Sequence, residues 1–359
     1  MIVSQDVDAL ADALRHAVVA AAAACLPHVG SGDGHAVDAA AVAAMRAALA
    51  DAPVDGRVVV GEGEKDEAPM LHLGERFGRA RAGDPAIDIA VDPVDGTRLA
   101  ASGRPGAMAV MAVAPRDGLF DLGPAHYLEK LVTWVPGFTA ADASAGGILG
   151  SLPQLVERVA ALRGVAPDAV RIAVQDRPRN RAYVDAVEAA GARVELFEHG
   201  DVERSLRALH GGPAPDAGGL DSVGLEPNGL DAVVGIGGAP EGVIVAAGAR
   251  ALGGSMLARF MPQSASERDR VLAHLGRNAG DLRDDGAGGA GAGAALEVVV
   301  DLDSLCPAPA GEVDLLVAAV TECEIGVSLP GVATREDGVS VHHWSASARA
   351  GGGVDLPAR

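Results

Sequence analysis

The run Asp92-Pro93-Val94-Asp95-Gly96-Thr97 gathers more reactive chemistry than any other stretch of this sequence. Two carboxylates three residues apart can bridge hard cations, which prefer oxygen donors. Pro93 fixes its own φ and biases Asp92 toward an extended conformation at a strand end, so the pair is expected in a tight turn. Gly96 would let the backbone approach a ligand closely. Thr97 carries a hydroxyl that could cap a following helix, whose free N–H groups would hold a phosphate, or that could orient an attacking water. The competing reading is an Asx-type turn that merely starts that helix.

Four other clusters could carry chemistry or be purely structural. Gly61-Glu62-Gly63-Glu64, followed by Asp66 and Glu67, is an acidic loop that suits Mg²⁺ or Mn²⁺, or else a solvated loop. It lacks the Gly-Lys-Ser/Thr of a phosphate-cradling loop. Gly237-Gly238-Ala239-Pro240-Glu241-Gly242 resembles a dinucleotide fingerprint beginning at Gly235, but Pro240 stands where the third glycine belongs. That substitution disfavours a nicotinamide-dependent oxidoreductase. Glu241 reads better as a carboxylate ligand, or as an incidental turn residue. Arg177-Pro178-Arg179 with Arg181 is the main basic cluster, and arginine forks match phosphate oxygens. The alternative is a solvated helix start. His342-His343 is a weak metal candidate, because adjacent residues on a strand point apart.

These groups need elements to position them. A helix is expected over Val7 to Leu26 and another over His35 to Ala50, with Asp38 in the first turn of the second. Strands are expected at Arg57 to Val60, Ile87 to Val91 and Ala107 to Ala114, the first two delivering carboxylates into turns. After Pro136 the pattern alternates: strands at Val170 to Val174, Arg193 to Phe197 and Ala232 to Gly235, helices at Asn180 to Ala190 and Asp201 to His210. Gly211 to Gly229 reads as a long surface loop and Asp284 to Ala295 as a flexible connector. The expected organisation is an α+β metal and phosphate unit over 1–137 and an α/β substrate unit over 138–359, whose last strands are free to return to the first unit.

Composition narrows the partners. Acidic residues number 49 against 29 Lys plus Arg, a formal charge of −20. Such a surface repels phosphate backbones and anionic lipid, so neither nucleic acid nor membrane is an expected partner. A chain this acidic that acts on phosphates must offset its own field locally, and divalent cations do so. Aromatics supply only 3% of residues, so Ala, Val and Leu must fill the core. Cys25, Cys306 and Cys323 show no C-x-x-C spacing and are expected as reduced thiols of a cytoplasmic protein. No basic segment, apolar run and cleavage site open the chain, and the apolar run from Ala17 to Leu26 is too short to span a bilayer.

Taken in order, an early helical Asp, Gly-Glu-Gly-Glu-Lys-Asp-Glu-Ala-Pro-Met-Leu, Asp-Pro-Val-Asp-Gly-Thr, Tyr127-Leu128-Glu129-Lys130-Leu131 and Gly-Gly-Ala-Pro-Glu-Gly resemble the class II (GlpX-type) fructose-1,6-bisphosphatases of the lithium-sensitive, inositol-monophosphatase-like superfamily. The resemblance runs from near Gly30 to near Arg259. It implies a layered α-β-α-β-α fold of α/β (α+β) class with the site between two domains, and a homo-oligomer. It implies metal ligands at Asp38, Glu62, Asp92, Asp95 and Glu241, holding Mg²⁺ or Mn²⁺. Substrate contacts would fall on Gly96, Thr97, Tyr127, Arg177, Pro178, Arg179, Gly200, Asp201 and Gly238. Glu62, Asp92, Asp95 and Thr97 would carry catalysis by two-metal activation of water, cleaving a phosphate monoester of a sugar bisphosphate. Gly34 and Arg177 stand where the family has Lys, and His199 where it has Asp. The alternatives are the same chemistry on another sugar or cyclitol phosphate, and a catalytically silent regulatory relative.

Overall fold

The computed structural model describes residues 3–61, 71–143, 146–212, 229–278 and 295–357. Glu62 and the rest of the acidic loop lie outside the described residues, as do most of the Gly/Pro-rich stretch before Gly229 and nearly all of the Gly/Ala-rich connector before Ala295.

Two helices open the chain, α1 (Val3–Cys25) and α2 (Gly34–Leu49), followed by strands β1 (Asp55–Val60), β2 (Arg76–Phe77) and β3 (Ala86–Asp95). The short α3 (Thr97–Ala101) leads to β4 (Met108–Pro115) and β5 (Tyr127–Thr133). Next come α4 (Gly147–Arg163), β6 (Arg171–Gln175), α5 (Arg181–Ala189), β7 (Arg193–Phe197) and α6 (Asp201–Leu209). Then follow β8 (Ala232–Gly238), α7 (Ala239–Leu252), β9 (Ser255–Phe260), α8 (Ala265–Asn278) and β10 (Val300–Asp301). The chain closes with β11 (Asp314–Ala319), β12 (Cys323–Glu324), β13 (Ser328–Leu329), β14 (Ala333–Arg335), β15 (Gly338–Ser345) and β16 (Ala350–Pro357).

One sheet runs β14-β15-β11-β4-β3-β1-β2, with β16 also pairing β15; the other runs β10-β9-β5-β8-β6-β7. Strand β4 is apolar on both faces because both are covered. Met108, Val110 and Ala112 face a core shared with Val202 and Leu206 of α6 and Val243, Ile244 and Ala247 of α7. Ala109 and Met111 face α1 and α2 through Ala17, Val18, Val37 and Met45. The second sheet repeats the arrangement: Leu128 and Val132 of β5 join the α6–α7 core, whereas Leu131 faces Ile148, Leu152 and Leu155 of α4 and Tyr183 of α5. The layers are therefore α, β, α, β, α, as the resemblance implied. Near-continuous burial along the central strands, with successive side chains alternating between the two covered faces, fixes that stacking.

The structure revises several local expectations. Asp33 caps α2, its side chain accepting the Ala36 N–H at 3.1 Å, so α2 starts at Gly34 and Asp38 is its fifth residue, beyond the first turn. By length and composition Ala9–His28 is long and apolar enough to cross a membrane, contrary to the sequence estimate. Its apolar face, including Leu14, Ala17, Val18, Ala21 and Cys25, is spent on the core around α2. The three cysteines are free and buried. Burial pushes the Cys25 thiol up to about 12 and Cys306 to about 11, which keeps both protonated and inert.

Near the start of β3 a buried charge is fully paired. Asp88 of β3 is fully buried, and its carboxylate accepts from Arg57 at 2.9 and 2.6 Å, from Arg116 at 2.8 Å and from the Asp117 N–H at 2.7 Å. Asp88→Ala is expected to lower unfolding free energy by about 2–3 kcal/mol, below the full cost of an orphaned buried charge because both guanidinium groups keep some water. Urea denaturation measures it. A second expectation concerns pH. His210 ends α6 with Nδ1 2.8 Å from the Leu206 carbonyl and its ring edge-on to Trp344 at 5.1 Å, and burial pushes its pKa below the ordinary 6.5. The unfolded chain then takes up a proton that the fold refuses, so this contribution is present above 6.5 and lost as pH falls through the lowered value. Denaturation between pH 7 and about 5 should show that slope, and His210→Gln should flatten it.

Candidate active site

The Asp92–Asp95 segment is not a turn but the bulged end of β3. Asp92 lies opposite Val110 and Asp95 opposite Met108, so three steps on β3 match two on β4. The extra residue swings the strand end outward, a common use of bulges beside functional sites. Asp92 Oδ1 accepts the Val94 N–H at 2.9 Å, which holds the bulge. Gly96 then takes φ +82°, and a Cβ there would stand 3.1 Å from the Gly106 carbonyl oxygen. Gly96, not Thr97, occupies the cap position of the five-residue α3. The Thr97 hydroxyl is turned away from that helix: it lies 2.7 Å from Asp38 Oδ1, its hydrogen-bond acceptor, and 3.1 Å from the Val94 carbonyl. This contact ties α2 to the strand end. It also partly offsets the burial that raises the Asp38 pKa.

The wall behind Gly96 comes from far along the sequence. The Ala107 carbonyl accepts N–H groups of Val320 and Thr321 at 2.9 and 3.0 Å, the Thr321 hydroxyl accepts the Ala107 N–H at 2.9 Å, and Glu322 accepts from Gly106 at 2.8 Å. Glu203 of α6 joins in through Oε1, which accepts the Glu324 N–H at 2.9 Å.

The second sheet supplies the facing side. Asp201 opens α6 and ion-pairs with the buried Lys130 of β5. Gly237 passes over that pair so closely that a Cβ would lie 2.6 Å from Asp201 Oδ2 and 3.1 Å from Lys130 Nζ. Glu241, in the first turn of α7, folds back over Gly238, where a Cβ would meet Glu241 Oε2 at 1.9 Å. A side chain at 237 or 238 would therefore have to displace Asp201 and Lys130, or Glu241, from these positions. Asp95 is 7% exposed, and its Oδ2 is buried with no hydrogen-bond partner. Burial, then the charges of Glu241 and Asp201, hold the Asp95 pKa well above the usual carboxylate range, with Lys130 pulling the other way. Burial also raises Glu241, again against Lys130.

These groups line one side of a cleft of about 720 Å³ whose other side is basic. Arg177 donates to the Asp176 and Glu198 carbonyls at 2.8 Å each. Arg179 donates to the Ile236 carbonyl at 3.1 Å and stacks 4.8 Å over the Tyr127 ring. His199 lines the same wall, its pKa lowered by burial and by Arg177 and Arg98.

Of the expected residues, Asp92, Asp95, Gly96, Thr97, Tyr127, Arg177, Arg179, Gly200, Asp201, Gly238 and Glu241 line this cleft. Asp38 reaches it through Thr97. Pro178 opens the turn Pro178–Asn180 and is not part of the lining, while Arg181 is exposed and pairs with Asp185 at 3.1 Å. His342 and His343 sit on β15 opposite Gly353 and Gly352, away from the cleft. Sequence reading missed Arg98, His126 and Gln175 on the lining, and Lys130 and Glu203 beneath it. Lys130 had a signal: a charge inside the apolar run of β5 must find a buried partner.

Among the described residues no three His, Cys, Asp or Glu side chains cluster tightly enough to hold a metal alone. The donor chemistry nonetheless fits a hard divalent cation. Asp95 presents an unpartnered buried oxygen, and Glu241 and Asp201 add negative charge around it.

A family model described as bacterial fructose-1,6-bisphosphatase, glpX-encoded, matches residues 8–284, extending past both ends of the expected resemblance. The chain is 40% identical over 243 residues to fructose-1,6-bisphosphatase 2 class 2 of Escherichia coli (strain K12), covering 67% of this chain and 68% of that protein. It is 39% identical over 241 residues to D-fructose 1,6-bisphosphatase class 2/sedoheptulose 1,7-bisphosphatase of Prochlorococcus marinus (strain MIT 9313), covering 66% of this chain and 64% of that protein, just under two thirds of its length. Among solved structures, an extragenic suppressor from Pyrococcus furiosus is 17% identical over 53% of this chain and 65% of that one, with a TM-score of 0.25, too distant to carry weight.

The crowding at Asp95 has a measurable cost. Asp95→Asn removes one of the mutually repelling carboxylates, so the chain in chelator should gain about 1 kcal/mol of stability, seen as a higher melting temperature. A lower melting temperature would mean that Asp95 is held by pairing and not strained by its neighbours.

Proposed function

The chain belongs to the glpX-encoded bacterial fructose-1,6-bisphosphatase family, and from that premise we propose that it hydrolyses a phosphate monoester of a sugar bisphosphate resembling fructose 1,6-bisphosphate. The observation that carries this reading is the polarity of the cleft, with carboxylates at the bulged end of β3 and arginines across from them. A doubly phosphorylated sugar matches that pattern: one phosphate meets the acidic side through cations, the other meets guanidinium groups directly.

Asp92, Asp95 and Glu241 would hold the divalent ions, Mg²⁺ or Mn²⁺, with Asp38 beside them and Glu62 completing the set. When bound, such ions neutralise phosphoryl oxygens and lower the pKa of water. The protein's own groups do the rest. Thr97 Oγ1, its proton committed to Asp38, keeps lone pairs that can accept from a water and aim it at phosphorus. Arg177 and Arg179 fix the distal phosphate, and the Tyr127 ring beneath Arg179 limits its motion. Asp201 and the Gly200 and Gly238 backbone, which line the cleft, would meet sugar hydroxyls. Three buried thiols suit a reducing, cytoplasmic setting.

A second reading keeps the chemistry and changes the sugar. It is favoured by His199 on the basic wall and by the Prochlorococcus relative, whose name includes a heptulose bisphosphate.

Release of inorganic phosphate from a panel of sugar mono- and bisphosphates tests both readings. Turnover should need Mg²⁺ or Mn²⁺, vanish in chelator and favour bisphosphates. Asp92→Asn should cost about 10³-fold or more in kcat with the fold intact. Turnover retained by that variant refutes the assignment.

A further inference from the structure

Lys130 is the sole buried cation among the described residues. The sequence holds only two lysines, Lys65 and Lys130, among 29 Lys plus Arg. A chain that uses arginine nearly everywhere thus keeps a compact ammonium at this point, where a planar guanidinium would need more room. Lys130 lies on the central region of the second sheet, between Gly235 of β8 and Ala258 of β9, and is 2% exposed. Its Nζ pairs with Asp201, under the Gly237 backbone. Asp201 lines the cleft together with Asp95 and Glu241, and the Gly237 that covers the Lys130–Asp201 pair is followed directly by the Gly238 over which Glu241 folds, so the ammonium lies against the acidic side of the cleft. A small hollow beside it is lined by the polar Gln175, Asn180 and Asp201 together with the apolar Phe197, Val233, Val234 and Ile236.

We propose that Lys130 is a built-in counter-cation for the acidic side of the cleft, a positioning residue that holds Asp201 and offsets Asp95 and Glu241 before any divalent ion arrives. It therefore weakens the pull of the site on its metal while keeping the metal-free fold intact. This inference rests on the reading that Asp95 and Glu241 hold divalent ions. Removing the ammonium leaves the carboxylates more repulsive to one another and more attractive to an incoming cation. Removing its Asp201 partner does the reverse, because the ammonium then serves Asp95 and Glu241 alone.

Mn²⁺ is titrated into the full chain, with melting temperature read in chelator and in Mn²⁺ and affinity read by calorimetry. Lys130→Met and Lys130→Gln should melt lower in chelator, gain more from Mn²⁺ than the wild type, and bind it about tenfold more tightly. Asp201→Asn should bind Mn²⁺ more weakly than the wild type, which keeps the test decisive if neither Lys130 variant folds. Equal Mn²⁺ shifts in the wild type and the Lys130 variants, or an Asp201→Asn shift as large as the wild type's, overturn the proposal alone. No Mn²⁺ response in any of the proteins removes the metal-site reading, and this proposal with it.

Discussion

Like charges forced together out of water govern this cleft. Carboxylates a few ångströms apart repel by about 4 kcal/mol per pair at intermediate dielectric. Here Asp95 is buried with an oxygen unpaired, and Glu241 and Asp201 lie close enough to raise its pKa. No fold assembles such a group for stability. Its neighbours must be rigid enough to hold it, and the first sheet supplies that rigidity. Strand β4 is locked between two apolar layers, and β3 is zipped to β4 up to the bulge.

Contrast Asp88, seven residues before Asp95 on the same strand. It is equally buried, yet two arginines and a backbone N–H satisfy it. One strand thus carries a compensated carboxylate at its base and an uncompensated one at its tip. Chemistry of the surroundings, not residue type, separates structural from reactive positions.

Much of this was readable without coordinates. The apolar strand ending in Asp92-Pro93-Val94-Asp95-Gly96-Thr97 announced a site, because only a ligand rewards two acids and a glycine at the mouth of a buried strand. Glu241 was identifiable because Pro240 spoiled the dinucleotide alternative. The bulge escaped notice, since it depends on register with β4, and register is a property of two strands. So did the helix start at Asp33, which moved Asp38 out of the first turn. Arg98 and His199 enter the cleft from α3 and from the loop before α6, a contact that local spacing does not encode. The hardest piece was the segment from Val320 to Glu324. It lies beyond the end of the resemblance near Arg259, yet it forms the hydrogen-bonded wall behind Gly96 through Ala107 and Glu203.

On the proposed function, net charge poses the last problem: a chain at −20 would have to attract a polyanion. Long-range attraction is unfavourable, but screening removes most of it beyond about 8 Å at physiological ionic strength. Inside that distance the local lining decides. Arg98, Arg177, Arg179 and His199 all line the cleft, and the Arg177 and Arg179 side chains are held by backbone carbonyls of Asp176, Glu198 and Ile236. Carbonyls hold a guanidinium without cancelling its charge, so the wall stays electropositive in an electronegative molecule. The acidic wall opposite can become attractive to phosphate only by taking up cations. With cations held on the acidic side, the proposed sugar bisphosphate, anionic at both ends and neutral between them, matches this lining.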